Sequence, residues 1–150
     1  MKKSIHLFTY IYLLMAAGFS LSAQAQEKPF QEFGEHKVYY SVFNSSFIKP
    51  DIARVYNITR GKDRALINIA VTQGSEIGGI AAQVQGTASN LMQQQKKLEF
   101  FEIKEPNAVY YLASIRFTNE EVFNFSIQVK PNGSARPYTV EFTKTLYVEK

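Results

Sequence analysis

The feature that most constrains the fold is a two-residue alternation of apolar and polar side chains, which recurs along the chain. In the clearest window, 122–130, the apolar positions are Phe123, Phe125, Ile127 and Val129. Shorter windows at 37–42, 67–72 and 138–143 alternate in the same way. Because successive side chains of a strand point to opposite faces, this pattern predicts strands with one face on a core and the other in water. Residues 110–117 are apolar at most positions, which predicts a central strand covered on both faces.

Turn-forming residues separate these windows at intervals of about ten residues, as in all-β sandwiches and barrels. The sequence Pro131-Asn132-Gly133 predicts a tight hairpin. Weaker turn signals fall at 61–62, 74–75, 106–107 and 119–120, and the glycine-rich stretch 74–79 reads as a hairpin connection. Residues 93–97 read as a polar loop. We predict an all-β fold, an immunoglobulin-like antiparallel β-sandwich of about seven to eight strands, with one short helical turn near residues 50–56, where proline occupies the first position.

The first 25 residues have the three parts of a secretory signal peptide. Lys2 and Lys3 precede an apolar run, and the small residues Ala23 and Ala25 stand at the −3 and −1 positions of a cleavage site. We therefore predict a signal peptide at 1–25, one domain at 26–150, and a periplasmic or secreted product. An uncleaved anchor is the alternative. Loss of the two lysines lowers the formal net charge from +4 to +2. Nucleic-acid binding requires a clustered basic face, which so small a net charge does not indicate, and we expect no nucleic acid as a partner.

A membrane-spanning arrangement of strands is the alternative architecture for an exported β-protein. It requires a continuous apolar row facing lipid. The window 81–90 offers only small side chains in that row, and the last four residues include Glu149 and Lys150. We expect no stable membrane insertion once the signal has been removed.

The small number of residues with catalytic side chains argues against most enzyme classes. With no cysteine the chain has no thiol nucleophile, disulfide or zinc-thiolate site. His36 is the one histidine after residue 25 and reads as a surface residue, because no Gly-x-Ser-x-Gly motif accompanies it. The glutamates at 99, 102 and 105 alternate between faces and make a poor calcium site. We predict no catalytic residues, no cofactor and no metal, and leave an unrecognised hydrolase as a remote alternative.

Two features are candidates for binding. The chain has nine tyrosines, twelve phenylalanines and no tryptophan, and Tyr39, Phe43 and Tyr111 are predicted on the face opposite the core rows. Aromatic side chains there could form a platform for a sugar or a protein. Short polar side chains form the second feature, namely Asn44, Ser45, Ser46 and Asn68. Their commoner use is to satisfy turn backbone groups, just as the aromatic residues commonly fill core volume.

Several segments stand in an order that is similar to a known family. They include Tyr40–Phe47, Pro50–Tyr56, Ala65–Ile69, Gly86–Leu91 and Tyr110–Leu112. Together they resemble domain-of-unknown-function family 4426, small exported proteins of Gram-negative bacteria. The resemblance extends from about Phe30 to Val148, and it implies a periplasmic β-sandwich without assigned catalytic or binding residues.

Two functions follow as expectations. The first is a non-catalytic domain that contacts a protein partner in the cell envelope, through an edge strand or an aromatic patch, or serves as a passive assembly factor. The second is a module that binds a small ligand or glycan through outer-face aromatic residues.

Overall fold

A computed structural model describes residues 28–75 and 78–150, which form nine strands, one 3₁₀ turn and one helix. The strands are β1 (Phe30–Phe33), β2 (His36–Asn44), β3 (Arg64–Gln73), β4 (Ala82–Asn90), β5 (Gln95–Leu98), β6 (Phe101–Glu105), β7 (Ala108–Arg116), β8 (Glu121–Pro131) and β9 (Tyr138–Leu146). The 3₁₀ turn spans Ser45–Phe47 and helix α1 spans Pro50–Val55, so the predicted helical turn is confirmed. The predicted signal peptide lies outside the described residues.

The strands form two antiparallel sheets. The first has the order β1-β2-β3-β7-β6, and the second has the order β5-β4-β8-β9. In an immunoglobulin domain, strands A, B, E and D form one sheet and C, F and G the other. Here β2, β3, β7 and β6 take the places of A, B, E and D, while β4, β8 and β9 take those of C, F and G. The predicted immunoglobulin-like sandwich is confirmed, with β1 added beside β2.

The alternating apolar rows meet between the two sheets. The first sheet contributes a fully buried row from β3, and the second contributes one from β8: Ile67, Ile69, Val71, Phe123, Phe125, Ile127 and Val129. Stacked rings connect the layers, because the Phe142 ring lies 4.8 Å from that of Phe125 and 4.4 Å from that of Tyr40. Removal of these apolar rows and rings from water is the main stabilising contribution to the fold.

Four sequence-based details were wrong. Residues 95–97 belong to strand β5 rather than to a loop. The connection after β3 is no hairpin, since β3 and β4 lie in different sheets. The β8–β9 hairpin is confirmed, and so is a turn at Pro131-Asn132-Gly133, where the Ser134 N–H donates to the Pro131 carbonyl at 3.0 Å and Gly133 has a φ of +85°. The whole connection, 132–137, has six residues and is therefore longer than a tight hairpin turn. His36 is buried, with its Nδ1 3.0 Å from the Tyr138 hydroxyl, because it lies in the same core-facing row of β2 as Val38.

Within the described part of the chain, no helix has the length and apolar character needed to cross a lipid bilayer.

Candidate functional site

The seven candidate binding residues separate into three groups in the structure. Tyr39, Phe43 and Asn68 lie on the outer face of the first sheet, opposite the core rows of β2 and β3. Asn44, Ser45 and Ser46 follow directly at the end of β2. Tyr111 lies elsewhere, on the inner face of β7. The sequence therefore predicted some residues of the outer face of the first sheet correctly, but it wrongly grouped Tyr111 with them.

The prediction that Tyr111 lies on an outer face is wrong. It shares the core-facing row of β7 with Ala113 and Ile115 and is 5% exposed. Its hydroxyl donates to Glu102 Oε2 at 2.9 Å and accepts from the backbone N–H of Ala82 at 2.7 Å. Burial is the main reason that the pKa of this phenol is raised. Both faces of β7 are apolar, so its sequence did not reveal which parity faces the core.

Substitution of Tyr111 by phenylalanine tests this structural role. The hydroxyl connects β7 to the start of β4, and its removal leaves a backbone donor and a carboxylate without their partner. We expect the free energy of unfolding to fall by about 1–2 kcal/mol, as measured by urea denaturation. Tyr147→Phe is the control, because Tyr147 is 59% exposed. An equal effect of both substitutions would contradict the role given to Tyr111.

The side chains of Asn44, Ser45 and Ser46 form hydrogen bonds that connect the end of β2 to other segments of the chain. The Asn44 amide donates to the carbonyl of Tyr147 at 3.1 Å, and the Ser46 hydroxyl donates to Glu149 Oε1 at 2.6 Å. The fully buried Ser45 hydroxyl exchanges hydrogen bonds with the backbone of Gly61, at 3.0 and 3.3 Å. These side chains thus satisfy backbone and terminal groups, the commoner use of such residues.

Residues 45–60, which we call the cap segment, cover part of the outer face of the first sheet. The segment includes the 3₁₀ turn and helix α1, and Ala53 on the inner side of α1 is 4% exposed. Beneath it Leu66, which points away from the core between the sheets, is fully buried. The first sheet is therefore covered on both faces in this region, which explains its apolar outer row.

A pocket of about 270 Å³ remains between the cap segment and the sheet. Its wall is mainly aliphatic and aromatic and is formed by Phe43, Ile48, Ile52, Tyr56, Ile58, Asn68, Ala70, Gly79, Ile103, Ala108, Val109, Tyr110 and Leu112. Concave apolar surfaces with few polar groups are typical of small-molecule sites. This pocket contains two of the predicted binding residues, Phe43 and Asn68.

The hollow exists because the smallest residues of the surface lie together beneath the cap segment. Ala70 and Ala108 stand near the ends of β3 and β7, where the pairing of these strands stops at Ile69 and Tyr111. Gly79 approaches the Val109 carbonyl so closely that a Cβ atom there would lie 1.8 Å from its oxygen. Larger side chains at Ala70 and Ala108 would fill the space.

Hydrogen bonds at the edge of the pocket attach the cap segment to the sheet. The hydroxyls of Tyr56 on the cap segment and Tyr110 on β7 each donate to Glu105 Oε1 at 3.3 Å. Desolvation, followed by the adjacent Glu105 carboxylate, raises the pKa of both phenols. Both tyrosines therefore remain neutral donors at physiological pH.

Asn68 is the polar group in the apolar wall. Its Oδ1 has no surface open to solvent and no hydrogen-bond partner in the protein. Among residues 28–75 and 78–150, this is the one buried side-chain oxygen or nitrogen without such a partner. A buried acceptor that stays unpaired costs about 1–3 kcal/mol, so its position in a pocket wall calls for an explanation.

Sequence reasoning missed the residues that the cap segment contributes to the pocket. Ile48 and Ile52 are spaced four apart around the predicted helical turn, and Ile58 follows. That spacing is the signal of an apolar stripe on a short helix. It could have indicated that this segment packs on a sheet face.

No group of three or more histidine, cysteine, aspartate or glutamate side chains is placed to hold a metal ion in the described portion of the chain.

Comparison with known proteins shows the family of this chain. The family model for the domain of unknown function DUF4426 matches residues 30–149. The crystal structure of a DUF4426 family protein from Pseudomonas aeruginosa PAO1 is 31% identical, with a TM-score of 0.73 over 81% of this chain and 95% of that chain. No curated protein matches.

More distant structures share the fold alone. FetP of uropathogenic Escherichia coli strain F11, expressed in the periplasm, is 10% identical, with a TM-score of 0.56 over 81% of this chain and 94% of that chain. A copper-bound variant of FetP is 12% identical, with a TM-score of 0.55 over 78% and 93% of the two chains. By the extent of the family match and the identity to the Pseudomonas protein, this chain belongs to the DUF4426 family.

Proposed function

We propose that this protein is a non-catalytic binding protein of the bacterial envelope that holds a small, mainly apolar ligand beneath the cap segment. The observation that carries the proposal is the pocket of about 270 Å³ on the outer face of the first sheet. Its wall combines aliphatic and aromatic side chains with a single amide side chain. Burial of apolar ligand surface there supplies the binding free energy, at about 25 cal/mol per Å².

The pocket volume limits the size of the ligand. A cavity of about 150 Å³ in another protein suffices for benzene. The volume of about 270 Å³ found here therefore suits a two-ring molecule or a short acyl chain. A glycan fits the site poorly, because the wall offers few hydrogen-bonding groups.

Placement in the periplasm is part of the proposal. The predicted signal peptide supports it. A non-catalytic role is supported by the composition of the pocket wall, since none of its lining residues carries a carboxylate. The nearby Glu105 carboxylate accepts hydrogen bonds from two tyrosine hydroxyls.

We favour ligand binding over contact with a protein partner, because most sheet edges of this sandwich are short. Three edge strands, β1, β5 and β6, have only four or five residues. The fourth, β9, has nine residues, and the Gln31 side chain from β1 already donates to its Glu141 carbonyl at 2.9 Å. Short or covered edges are how sheets avoid pairing with other strands.

Titration with 2-methylnaphthalene, a two-ring hydrocarbon, tests the proposal. We expect saturable one-to-one binding, measured by intrinsic probe fluorescence. Ala70→Phe should weaken binding by about tenfold or more, equivalent to about 1.4 kcal/mol, because the new ring rises from the pocket floor. Gln128→Phe adds the same ring to the exposed outer face of the second sheet and should leave binding unchanged. Binding that is absent, or unaffected by Ala70→Phe, would refute the proposed site.

A further inference from the structure

We propose that one end of the sandwich, which we call the apolar end, docks reversibly on the surface of an anionic phospholipid bilayer. This end is formed where β2, β4, β7 and β9 finish and where β3, β5 and β8 begin. The inference goes beyond the proposed function and does not depend on it. It begins from exposed apolar side chains that gather at this end beside an excess of basic residues.

Four large apolar side chains at the apolar end keep more than half of their surface in water, namely Phe47, Leu91, Met92 and Tyr147. The other exposed large apolar residues belong to β2, β6 or helix α1. In the part of the chain that the structure describes, none lies in a turn at the opposite end of the sandwich. Exposed apolar groups that gather in one region mark a surface for interaction with a protein or a membrane.

The turn between β4 and β5 is built to hold its two apolar side chains outward. The buried Asn90 side chain accepts hydrogen bonds from the N–H groups of Met92 and Gln94, at 3.1 and 3.0 Å. Its amide donates to Gln94 Oε1 at 2.8 Å and to Glu121 Oε1 at 3.1 Å. A satisfied polar network of this kind makes the turn rigid. Leu91 and Met92 therefore form a fixed apolar tip.

The charge of the apolar end favours an anionic surface. The segments that meet there contain nine lysine and arginine residues and four acidic residues, namely 45–49, 60–64, 91–97, 116–121 and 144–150. Two of the acidic side chains have partners within the protein, since Asp63 pairs with Arg116 at 2.7 Å and Glu149 accepts from Ser46 at 2.6 Å. Basic residues close to a bilayer are attracted to anionic headgroups.

Separated apolar tips with basic side chains between them suit a bilayer better than a protein surface. The ends of β4 and β9 are two strand spacings apart, about 10 Å, so the Leu91–Met92 tip and Tyr147 enter the surface at separate points. A protein interface would instead require one continuous packed core. Apolar side chains reach the boundary between headgroups and acyl chains, and long basic side chains remain at the headgroups. Such contact is peripheral and differs from stable insertion across the membrane.

Sedimentation with phospholipid vesicles tests the inference, with protein purified after removal of the signal peptide. We expect vesicles of phosphatidylglycerol and phosphatidylcholine in equal parts to be bound at least about tenfold more tightly than vesicles of phosphatidylcholine alone. The double variant Leu91→Ser/Met92→Ser should bind the anionic vesicles about tenfold more weakly, because two apolar side chains no longer leave water. Lys62→Gln/Lys144→Gln should weaken this binding to a similar extent.

Two matched controls alter the same kinds of side chain away from the apolar end. Val55→Ser changes an exposed apolar residue, but the adjacent Tyr56 reaches Glu105 near the opposite end of the sandwich. Lys104→Gln/Lys130→Gln removes two lysines where β6 and β8 finish, also at the opposite end. Both controls should bind anionic vesicles as the wild type does.

A single tryptophan provides a second readout, because the chain has none of its own. The emission of Met92→Trp should shift to shorter wavelength when anionic vesicles are added, since the indole leaves water at the interface. Val55→Trp should show no shift. Circular dichroism checks that each variant is folded, as expected for substitutions at exposed positions.

The outcomes separate this inference from the proposed function. Vesicle binding that requires both the apolar tip and the lysines, with an emission shift in Met92→Trp alone, supports the inference. It is overturned if anionic vesicles are not bound, or if Leu91→Ser/Met92→Ser binds them as the wild type does. Self-association that this variant abolishes would assign the apolar end to a second copy and would also overturn it. Because the variant keeps every residue of the pocket wall, its titration with 2-methylnaphthalene tests the proposed function independently.

Discussion

Replacement of Phe125 by alanine is expected to lower the free energy of unfolding by about 3–5 kcal/mol, the usual cost of removing a buried aromatic ring. Phe125 is 2% exposed and lies in the middle of β8. Its ring stacks on Phe142 at 4.8 Å and lies 6.0 Å from the tilted ring of Phe123. Alanine would leave a cavity between the two sheets. Because β8 is hydrogen-bonded to β4 on one side and to β9 on the other, it cannot move to close this cavity.

Urea denaturation monitored by circular dichroism measures this effect. A domain of ordinary stability unfolds with about 5–15 kcal/mol, so the variant should lose between about a fifth and all of the wild-type value. Phe47→Ala is the matched control: Phe47 is 72% exposed, and its loss should change stability by no more than about 0.5 kcal/mol. Similar unfolding midpoints for the two variants would show that the core between the sheets has been misidentified.

Gly79→Ala should be the second strongly destabilising substitution, although it adds a single methyl group. The added Cβ would lie 1.8 Å from the carbonyl oxygen and 2.8 Å from the carbonyl carbon of Val109, which belongs to β7. Backbone atoms within a paired strand cannot move aside as a flexible side chain does. We expect a loss of about 3 kcal/mol, at the upper end of the cost of overpacking.

Gly74→Ala provides the comparison for this substitution. Gly74 has a φ of +57°, but no atom lies within 4 Å of the added Cβ. Its cost should be the conformational one alone, about 1 kcal/mol. The same denaturation experiment ranks the two variants, and a smaller loss for Gly79→Ala than for Gly74→Ala would contradict the close approach. Weakened binding of 2-methylnaphthalene by a folded Gly79→Ala protein would further connect this approach to the pocket.

The shared fold with FetP carries no functional assignment, because a sandwich scaffold supports many unrelated sites. Identity of 10–12% to the two FetP structures leaves the side chains of the pocket wall free to differ. The proposed binding function is therefore argued from the pocket itself.

Strand positions were predictable where one face of a strand meets water. The windows around Ile67, Phe125 and Val140 alternate clearly, and the structure places each of these residues in the core. The helical turn was predictable from Pro50, because proline at the first helical position has a suitable φ and lacks only an N–H that the helix does not use.

The same reasoning failed where both faces of a strand are covered. On β7 the apolar residues occupy both parities, so the orientation of Tyr111 could not be read from alternation. The polar strand β5 has exposed lysine and glutamine side chains, and only its pairing with β4 identifies it as a strand. Of the predicted binding residues, Phe43 and Asn68 line the pocket, while Ser45 and its neighbours form hydrogen bonds to other segments of the chain.

By itself, the sequence determined the strand periodicity, the two-layer class and the core rows, because these depend on contacts that repeat every second residue. Only the tertiary structure decided that the cap segment lies over Leu66 and leaves a hollow above Ala70 and Ala108. That outcome depends on where β3 and β7 separate and on how closely Gly79 passes Val109. Such distances join residues far apart in the chain, and no local pattern encodes them.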